Sequence, residues 1–349
     1  MSFNLQHLIR ENIKRLKPYS SARNEFSGEA RIFLDANENS YGSPLPKWYN
    51  RYPDPLQWDL KKKISAIKNI PPENILLGNG SDECIDLLIR AFCEPGRDEI
   101  IICPPTYGMY EVCAHINNVR VLEVPLTLSF QPDLEAIENA LTPATKIIFL
   151  CSPNNPTGNS LAHEDIEIVL NNFDGLVVID EAYINYSRQR SFLVSLNDYP
   201  NLVVMQTLSK AWGLAALRLG MNFASTEIIE VLNRIKPPYN IGSASQELAI
   251  QALDHLDDVN EMTRATVKER EELIKKLQKL SFVQKVYPSD ANFILVRMDD
   301  PNGVYEYLKG KGIIVRNRSQ VILCAGCLRI TVGTPEQDQQ LLNTLQSYK

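Results

Sequence analysis

The feature that most constrains this chain is a series of short apolar, largely β-branched runs set between amphipathic stretches of helical length. The runs are "NILLG" (74–78), "EIIICP" (99–104), "VRVLEV" (119–124), "KIIFLCS" (146–152), "LVVIDE" (176–181), "LVVMQT" (202–207) and "LGMNF" (219–223). A run that is apolar at consecutive positions has to be covered on both faces, which is the pattern of parallel strands between helix layers. The intervening segments carry helix start and stop signals: "SDECIDLLIRAFCEPG" offers Ser81 as a cap and Gly96 beyond the end. The expected fold is α/β, a mainly parallel seven-stranded sheet with helices on both faces, plus a smaller α+β domain.

That second unit is read from a change of pattern after about residue 240. Long helical stretches ("ASQELAIQALDHL", "EMTRATVKEREELIKKLQKL") precede "VQKVYP", "NFILVRM", "GIIVRN" and "CLRITVG", which read as strands. The proline-rich section "YGSPLPKWYNRYPDPL" (41–56) reads as an irregular surface segment able to reach another subunit.

Composition narrows the function classes. A chain of 349 residues is long enough for about two domains of roughly 150 residues each. A net charge of -6 leaves no basic footprint for nucleic acid. The N-terminal segment lacks a signal-peptide core and no run of ~18 apolar residues occurs, so a cytoplasmic protein without membrane contact is expected. Seven cysteines, most inside apolar runs, read as reduced small hydrophobes, and the "CAGC" at 324–327 has no second pair to make a metal site. No metal is expected.

Four motifs fall at the ends of predicted strands, where open α/β sheets place their ligands. "GNGSDE" (78–83) can present the amides of Ser81 and Asp82 to a phosphate at a helix start, although a plain Ser-capped start would look the same. "CSPNNPTG" (151–158) carries Asn155 in residues that any tight turn could use. "VVIDEAY" (177–183) ends a buried strand in Asp180, with Tyr183 three residues on; such a carboxylate needs a cation or donors, and a Mg²⁺ ligand is the competing reading. "TLSKAWGLAALRLG" (207–220) sets Lys210 and Arg218 among small and apolar side chains with no carboxylate beside them. A desolvated lysine loses its proton readily and becomes a Schiff-base former, whereas arginine keeps its charge and its planar fork for phosphate.

Jointly the motifs describe one ligand. Ser81, Asp82, Ser209 and Arg218 suit a phosphate, Asp180 a cationic ring nitrogen, Asn155 and Tyr183 a phenolate oxygen, and Lys210 an aldehyde. These are the parts of pyridoxal 5′-phosphate.

With "PPTYGMY", "LRITVG", "LDANEN" and "RYPDP" added, the chain resembles the aspartate-aminotransferase-type pyridoxal-phosphate enzymes over nearly its whole length, and within them the histidinol-phosphate branch. The resemblance implies that Lys210 holds the cofactor covalently and shuttles the Cα proton. Asp180 keeps the ring nitrogen protonated, and Asn155 and Tyr183 hydrogen-bond the ring oxygen. Tyr107 stacks on the ring, while Ser81, Asp82, Ser209, Arg218 and, more weakly, Thr207 hold the phosphate. Tyr52 reaches that phosphate from the partner subunit of a homodimer with shared active sites.

It further implies that Arg329, assisted by Arg316, binds the substrate carboxylate or phosphate, and that Tyr19 and Asn37 line the substrate pocket. The expected reaction is transamination of L-histidinol phosphate with 2-oxoglutarate by a ping-pong mechanism. An aromatic aminotransferase and a threonine-phosphate decarboxylase of the same fold are the alternatives. Residues 1–30 are expected as an arm serving the small domain and dimer contacts, 31–240 as the large cofactor-binding domain and 241–349 as the small domain. Trp212 stands where Phe is more usual, Ala216 where Gly is common and Ser40 where Pro is frequent; none of these removes a reacting group.

Overall fold

The computed structural model describes residues 3–19, 32–47 and 49–348. All seven runs form strands of one sheet: β1 (Ile75–Asn79), β2 (Glu99–Ile102), β3 (Arg120–Glu123), β4 (Thr145–Cys151), β5 (Leu176–Asp180), β6 (Leu202–Thr207) and β7 (Leu219–Phe223). Their spatial order is β1-β7-β6-β5-β4-β2-β3, parallel throughout except for β7, which runs antiparallel to both β1 and β6.

The helices in chain order are α1 (Leu5–Leu8), α2 (Glu11–Lys14), α3 (Trp58–Lys68), α4 (Gly80–Phe92), α5 (Met109–Ile116), α6 (Leu134–Ala140), α7 (His163–Asn172) and α8 (Thr226–Ile235). They continue with α9 (Ser243–Ala252), α10 (Leu256–Leu277), α11 (Pro301–Gly310) and α12 (Pro335–Gln346). No helix among the described residues is long and apolar enough to cross a membrane.

The consecutive apolar residues of the strands do what that pattern requires. Ile147 and Phe149 of β4 and Val178 of β5 pack with α4 and α8 on one face, while Ile148, Leu150, Val177 and Ile179 pack with α3 and α7 on the other. Both faces are dry, so only strand ends and loops remain to carry polar chemistry. The described part of the N-terminal arm joins the first of these layers through Leu8, Ile9 and Ile13, and so lies on the large unit.

The second sheet, ordered β10-β11-β9-β8, is antiparallel and consists of β8 (Val283–Val286), β9 (Phe293–Met298), β10 (Arg316–Asn317) and β11 (Cys327–Thr331). Its outer face packs Ile294, Val296, Leu328 and Ile330 against α10, α11 and α12. Its inner face turns Leu295 and Cys327 into the large-sheet core and Phe293 onto Tyr183 and Ala211. "GIIVRN" yields only the two residues of β10. Gly312 adopts φ +78° and the Ile313 N–H donates back to the Leu308 carbonyl, so the first half of the run closes α11 instead of joining the ladder.

One close approach locks the large sheet to its first helix. Gly220 of β7 pairs with Gly78 of β1, and a Cβ at 220 would lie 2.5 Å from the Gly80 carbonyl carbon and 2.7 Å from its oxygen. Those neighbours are backbone and cannot rotate away. Gly220→Ala is therefore expected to lower stability by about 1–3 kcal/mol, read as a reduced midpoint of urea unfolding at unchanged slope.

Candidate active site

A cleft of about 620 Å³ opens where the carboxyl ends of β2, β4, β5 and β6 face the inner side of the small sheet. Its floor is Asp180, which is 3% exposed. A carboxylate so placed is costly unless donors meet it. Two do: the Tyr110 hydroxyl donates to Oδ2 at 2.6 Å and the Ala182 N–H to Oδ1 at 3.0 Å. Burial pushes this carboxyl up to about 6, while the two hydrogen bonds and Lys210 oppose that rise. At neutral pH Asp180 is an anion with donors but no cation in contact.

Tyr110 sits on α5, stacked on Phe149 at 4.7 Å between centroids, and its phenol is driven well above the ordinary tyrosine range by burial and by Asp180. The sequence reading of "PPTYGMY" singles out Tyr107 alone. The spacing of three puts both tyrosines on one side of the helix start, which was the available signal. Tyr107 takes the upper position, donating to Asp82 Oδ1 at 3.0 Å and meeting Tyr110 edge-on at 5.6 Å.

One end of the cleft is built by the start of α4. Ser81 is not the N-cap that its sequence suggests: the helix begins at Gly80 with Asn79 as cap residue, and no side chain caps its end. Instead Glu83 accepts from the Asn79 N–H, and the Gly80 N–H donates to the Arg218 carbonyl at 2.8 Å. The amides of the first turn after Gly80 are left for an anion, at the positive end of the helix dipole. Gly80 has φ +77°, and a Cβ there would lie 3.0 Å from Arg218 Cζ, so the glycine is what admits the guanidinium.

Arg218, itself in the left-handed region at φ +53°, reaches Asp82 Oδ2 at 3.5 Å. The Thr207 hydroxyl is already engaged: it donates to the Leu219 carbonyl at 3.0 Å and accepts from the Ser209 N–H at 3.1 Å. It holds the turn that presents Ser209 rather than offering a free donor.

Lys210 follows directly and projects into the cleft, its Nζ 5.6 Å from the centre of the Tyr183 ring. Its side chain stays exposed to solvent in the cleft while packing partly against the wall, and among the described residues no carboxylate pairs with it. Its ammonium is held below the ordinary lysine range, first by this partial burial and next by Arg329, against which Asp180 pulls the other way. Proximity of two cations and a dry wall is the arrangement that frees an amine.

The opposite wall comes from the small sheet. Arg329 of β11 stands opposite Leu295 of β9 and Arg316 of β10 in the ladder, on the face turned toward the large unit. Its guanidinium lies over the Phe293 ring at 5.1 Å and donates to Asn155 Oδ1, tying the small sheet to the turn after β4. Phe293 in turn meets Tyr183 edge-on at 5.1 Å.

Thus Ser81, Asp82, Tyr107, Asn155, Asp180, Tyr183, Thr207, Ser209, Lys210, Arg218, Arg316 and Arg329 all line one cleft. Tyr52, Tyr19 and Asn37 do not line it in their own chain. Tyr52 is 50% exposed and stacks on Tyr239 at 4.5 Å. Tyr19 is 73% exposed and lines a separate hollow with Pro55 and Lys236. Asn37 is exposed in a loop at φ +54°. Besides Tyr110, the structure adds Arg318 to the lining, a residue that the sequence reading passes over between Arg316 and the following turn.

The donor set fits pyridoxal phosphate: an uncapped helix end with Arg218 for a dianion, a buried carboxylate without a cation, and a depressed amine between them. A model of the family described as aminotransferase class I and II matches residues 45–345. The histidinol-phosphate aminotransferase of Cytophaga hutchinsonii is 55% identical over 348 residues, covering 100% of each chain. Among solved structures, the histidinol-phosphate aminotransferase from Clostridium acetobutylicum has a TM-score of 0.79 at 26% identity, covering 85% of this chain and 90% of its own. The one from Sinorhizobium meliloti, in complex with pyridoxal-5′-phosphate, shares the fold with a TM-score of 0.79 at 23% identity, covering 89% and 88%. Spanning both sheets and every wall of the cleft, these matches establish that the chain belongs to the class I and II aminotransferases, in the histidinol-phosphate aminotransferase branch.

Proposed function

We propose that the protein moves the amino group of L-histidinol phosphate to 2-oxoglutarate, giving imidazole-acetol phosphate and L-glutamate, in two half-reactions that share one pocket. The observation that carries this reading is the convergence of a depressed amine, a buried carboxylate and unpaired arginines on one cleft. When bound, pyridoxal phosphate supplies an aldehyde for the substrate amine and a cationic ring that accepts the electron pair of the breaking Cα–H bond.

The chain's own residues do the rest. Asp180 holds the proton on the ring nitrogen, and Tyr110 holds Asp180. Asn155 and Tyr183 donate to the ring oxygen, and Tyr107 covers the ring face. The Ser81 and Asp82 amides, Ser209 and Arg218 fix the phosphate, with Thr207 setting the turn beneath them. Lys210 carries the cofactor between turnovers and, once displaced by substrate, moves the proton at Cα as a free amine. Arg329 and Arg316 accept the phosphate of one substrate and the carboxylate of the other.

The functional unit proposed is a cytoplasmic homodimer in which Tyr52 reaches the phosphate site of the partner subunit; its exposure and its place outside the lining of its own chain's cleft support this. Residues 1–30, 31–240 and 241–349 are its proposed arm, large and small domains. Tyr19 and Asn37, on the loops before β1, are proposed to complete the substrate pocket in that assembly.

Adding L-histidinol phosphate to the purified holoenzyme is expected to bleach the absorbance of the lysine-bound cofactor, and 2-oxoglutarate to restore it. Bleaching by phenylalanine and not by histidinol phosphate would sink the reading in favour of an aromatic aminotransferase, and release of CO₂ from threonine phosphate in favour of the decarboxylase. Lys210→Ala should retain bound cofactor through its phosphate and ring contacts but lose turnover, because no other lysine among the described residues lines the cleft; undiminished transamination by this variant would refute the role.

The Asp180 carboxyl gives a pH-dependent test. Its pKa in the folded, cofactor-free protein, about 6, lies above the unfolded value. Its contribution to stability is then complete below ~pH 4 and lost as pH rises through about 6. Cofactor-free Asp180→Asn should melt several degrees above cofactor-free wild type at pH 8, reflecting roughly 2–3 kcal/mol, with the gap closing at pH 4. The same variant should hold its cofactor more weakly, read as faster loss on dialysis than from wild type, since an amide does not pair with a ring cation.

A further inference from the structure

We propose that Arg318 is a third arginine of the substrate-anion wall, and that it gives this cleft its preference for a dianionic phosphate monoester over a carboxylate. This rests on the proposed reaction and adds to it a residue that the sequence motifs do not mark.

The ladder places it. Arg316 stands directly opposite Arg329 in the pairing of β10 with β11, so the two side chains leave the same face of the small sheet. Arg318 follows Arg316 by two residues, and its N–H continues the ladder by donating to the Cys327 carbonyl at 2.9 Å, so it returns to that same face. Its carbonyl accepts from the Val321 N–H at 2.9 Å, which fixes the backbone on the other side. The face in question is the one that turns Cys327 into the large core and Arg329 into the cleft, and Arg318 lines the cleft beside both arginines.

The charges there are unopposed. Among the described residues neither Arg316 nor Arg318 makes a salt bridge or a side-chain hydrogen bond, and Arg329 donates only to the neutral Asn155. The Nε atoms of Arg318 and Arg329 are both buried without a partner. The cleft's carboxylates are elsewhere: Asp82 is held by Arg218 and Tyr107, Asp180 by Tyr110, and Glu111 and Glu123 stand on the α5 and β3 side. Burial and the adjacent Arg316 hold the Arg318 guanidinium below its ordinary range, as expected for a cation kept without its anion.

Three guanidiniums suit a particular anion. A carboxylate has two oxygens and one charge, and one bidentate fork satisfies it. A phosphate monoester above pH ~6 has three free oxygens and nearly two charges, so a third fork finds both an oxygen and a charge. Arginine fills this position better than lysine because its donors are fixed in a plane.

The test compares the two half-reactions of the holoenzyme. Arg318→Gln is expected to raise the KM for L-histidinol phosphate about 10- to 100-fold, and to raise that for 2-oxoglutarate at least several-fold less. Calorimetric titration of the holoenzyme with inorganic phosphate should show the same variant binding about tenfold more weakly than wild type. Arg318→Lys, which keeps the charge without the fork, should fall between the two and stands in if the glutamine variant does not fold. Equal rises for both substrates, or no rise for histidinol phosphate, would overturn the role of Arg318. Failure of the wild-type protein to turn over histidinol phosphate at all would instead overturn the proposed reaction.

Discussion

Everything in this active site is arranged around a carboxylate that the sheet has no solvent to give. Asp180 ends a strand whose other residues are buried on both faces, and it is itself nearly inaccessible. Without donors such a group would simply take up a proton. The Tyr110 hydroxyl and the Ala182 N–H keep it available as an anion near neutrality, but neither supplies charge. The cost of burying it is recovered only when a cation arrives. The same dryness that makes the strand stable therefore leaves at its end a carboxylate that a cation would stabilise.

A second constraint, steric rather than electrostatic, sets where the other end of the ligand goes. Gly78 and Gly220 face each other across β1 and β7, and Gly80 leaves room for the Arg218 side chain. These absences of side chain bring a helix start, an arginine and the turn carrying Lys210 to one cleft. The helix is left uncapped at the place where an anion would cap it. A local deficiency in hydrogen bonding is one that an anion can meet.

The small sheet contributes through simple alternation. Leu328 and Ile330 point outward into the core beneath α10, α11 and α12, so Cys327 and Arg329 must point inward. Register with β10 then brings Arg316 to the same face. Cations that would be stray in an apolar strand form the wall opposite Lys210, and one of them also depresses its ammonium.

The sequence by itself determined the seven strands, because consecutive apolar residues are covered on both faces, and it pointed to Lys210, Asp180, Arg218 and Asn155 as one set, because their chemistries together suit a single ligand; the fold brings these four to one cleft. What it left open required distances between residues far apart in the chain. Tyr110 reads as one more core aromatic until α5 is laid against the end of β5, 70 residues away. Ser81 reads as a cap until the approach of β7 fixes the helix start at Gly80. "GIIVRN" reads as a full strand until the end of α11 claims the Ile313 amide. Arg318 acquires a direction only from its pairing with β11. Apolar pattern is a local property and survives in the sequence, whereas which buried polar group meets which partner is decided only when tertiary packing removes the water that would otherwise have served them all.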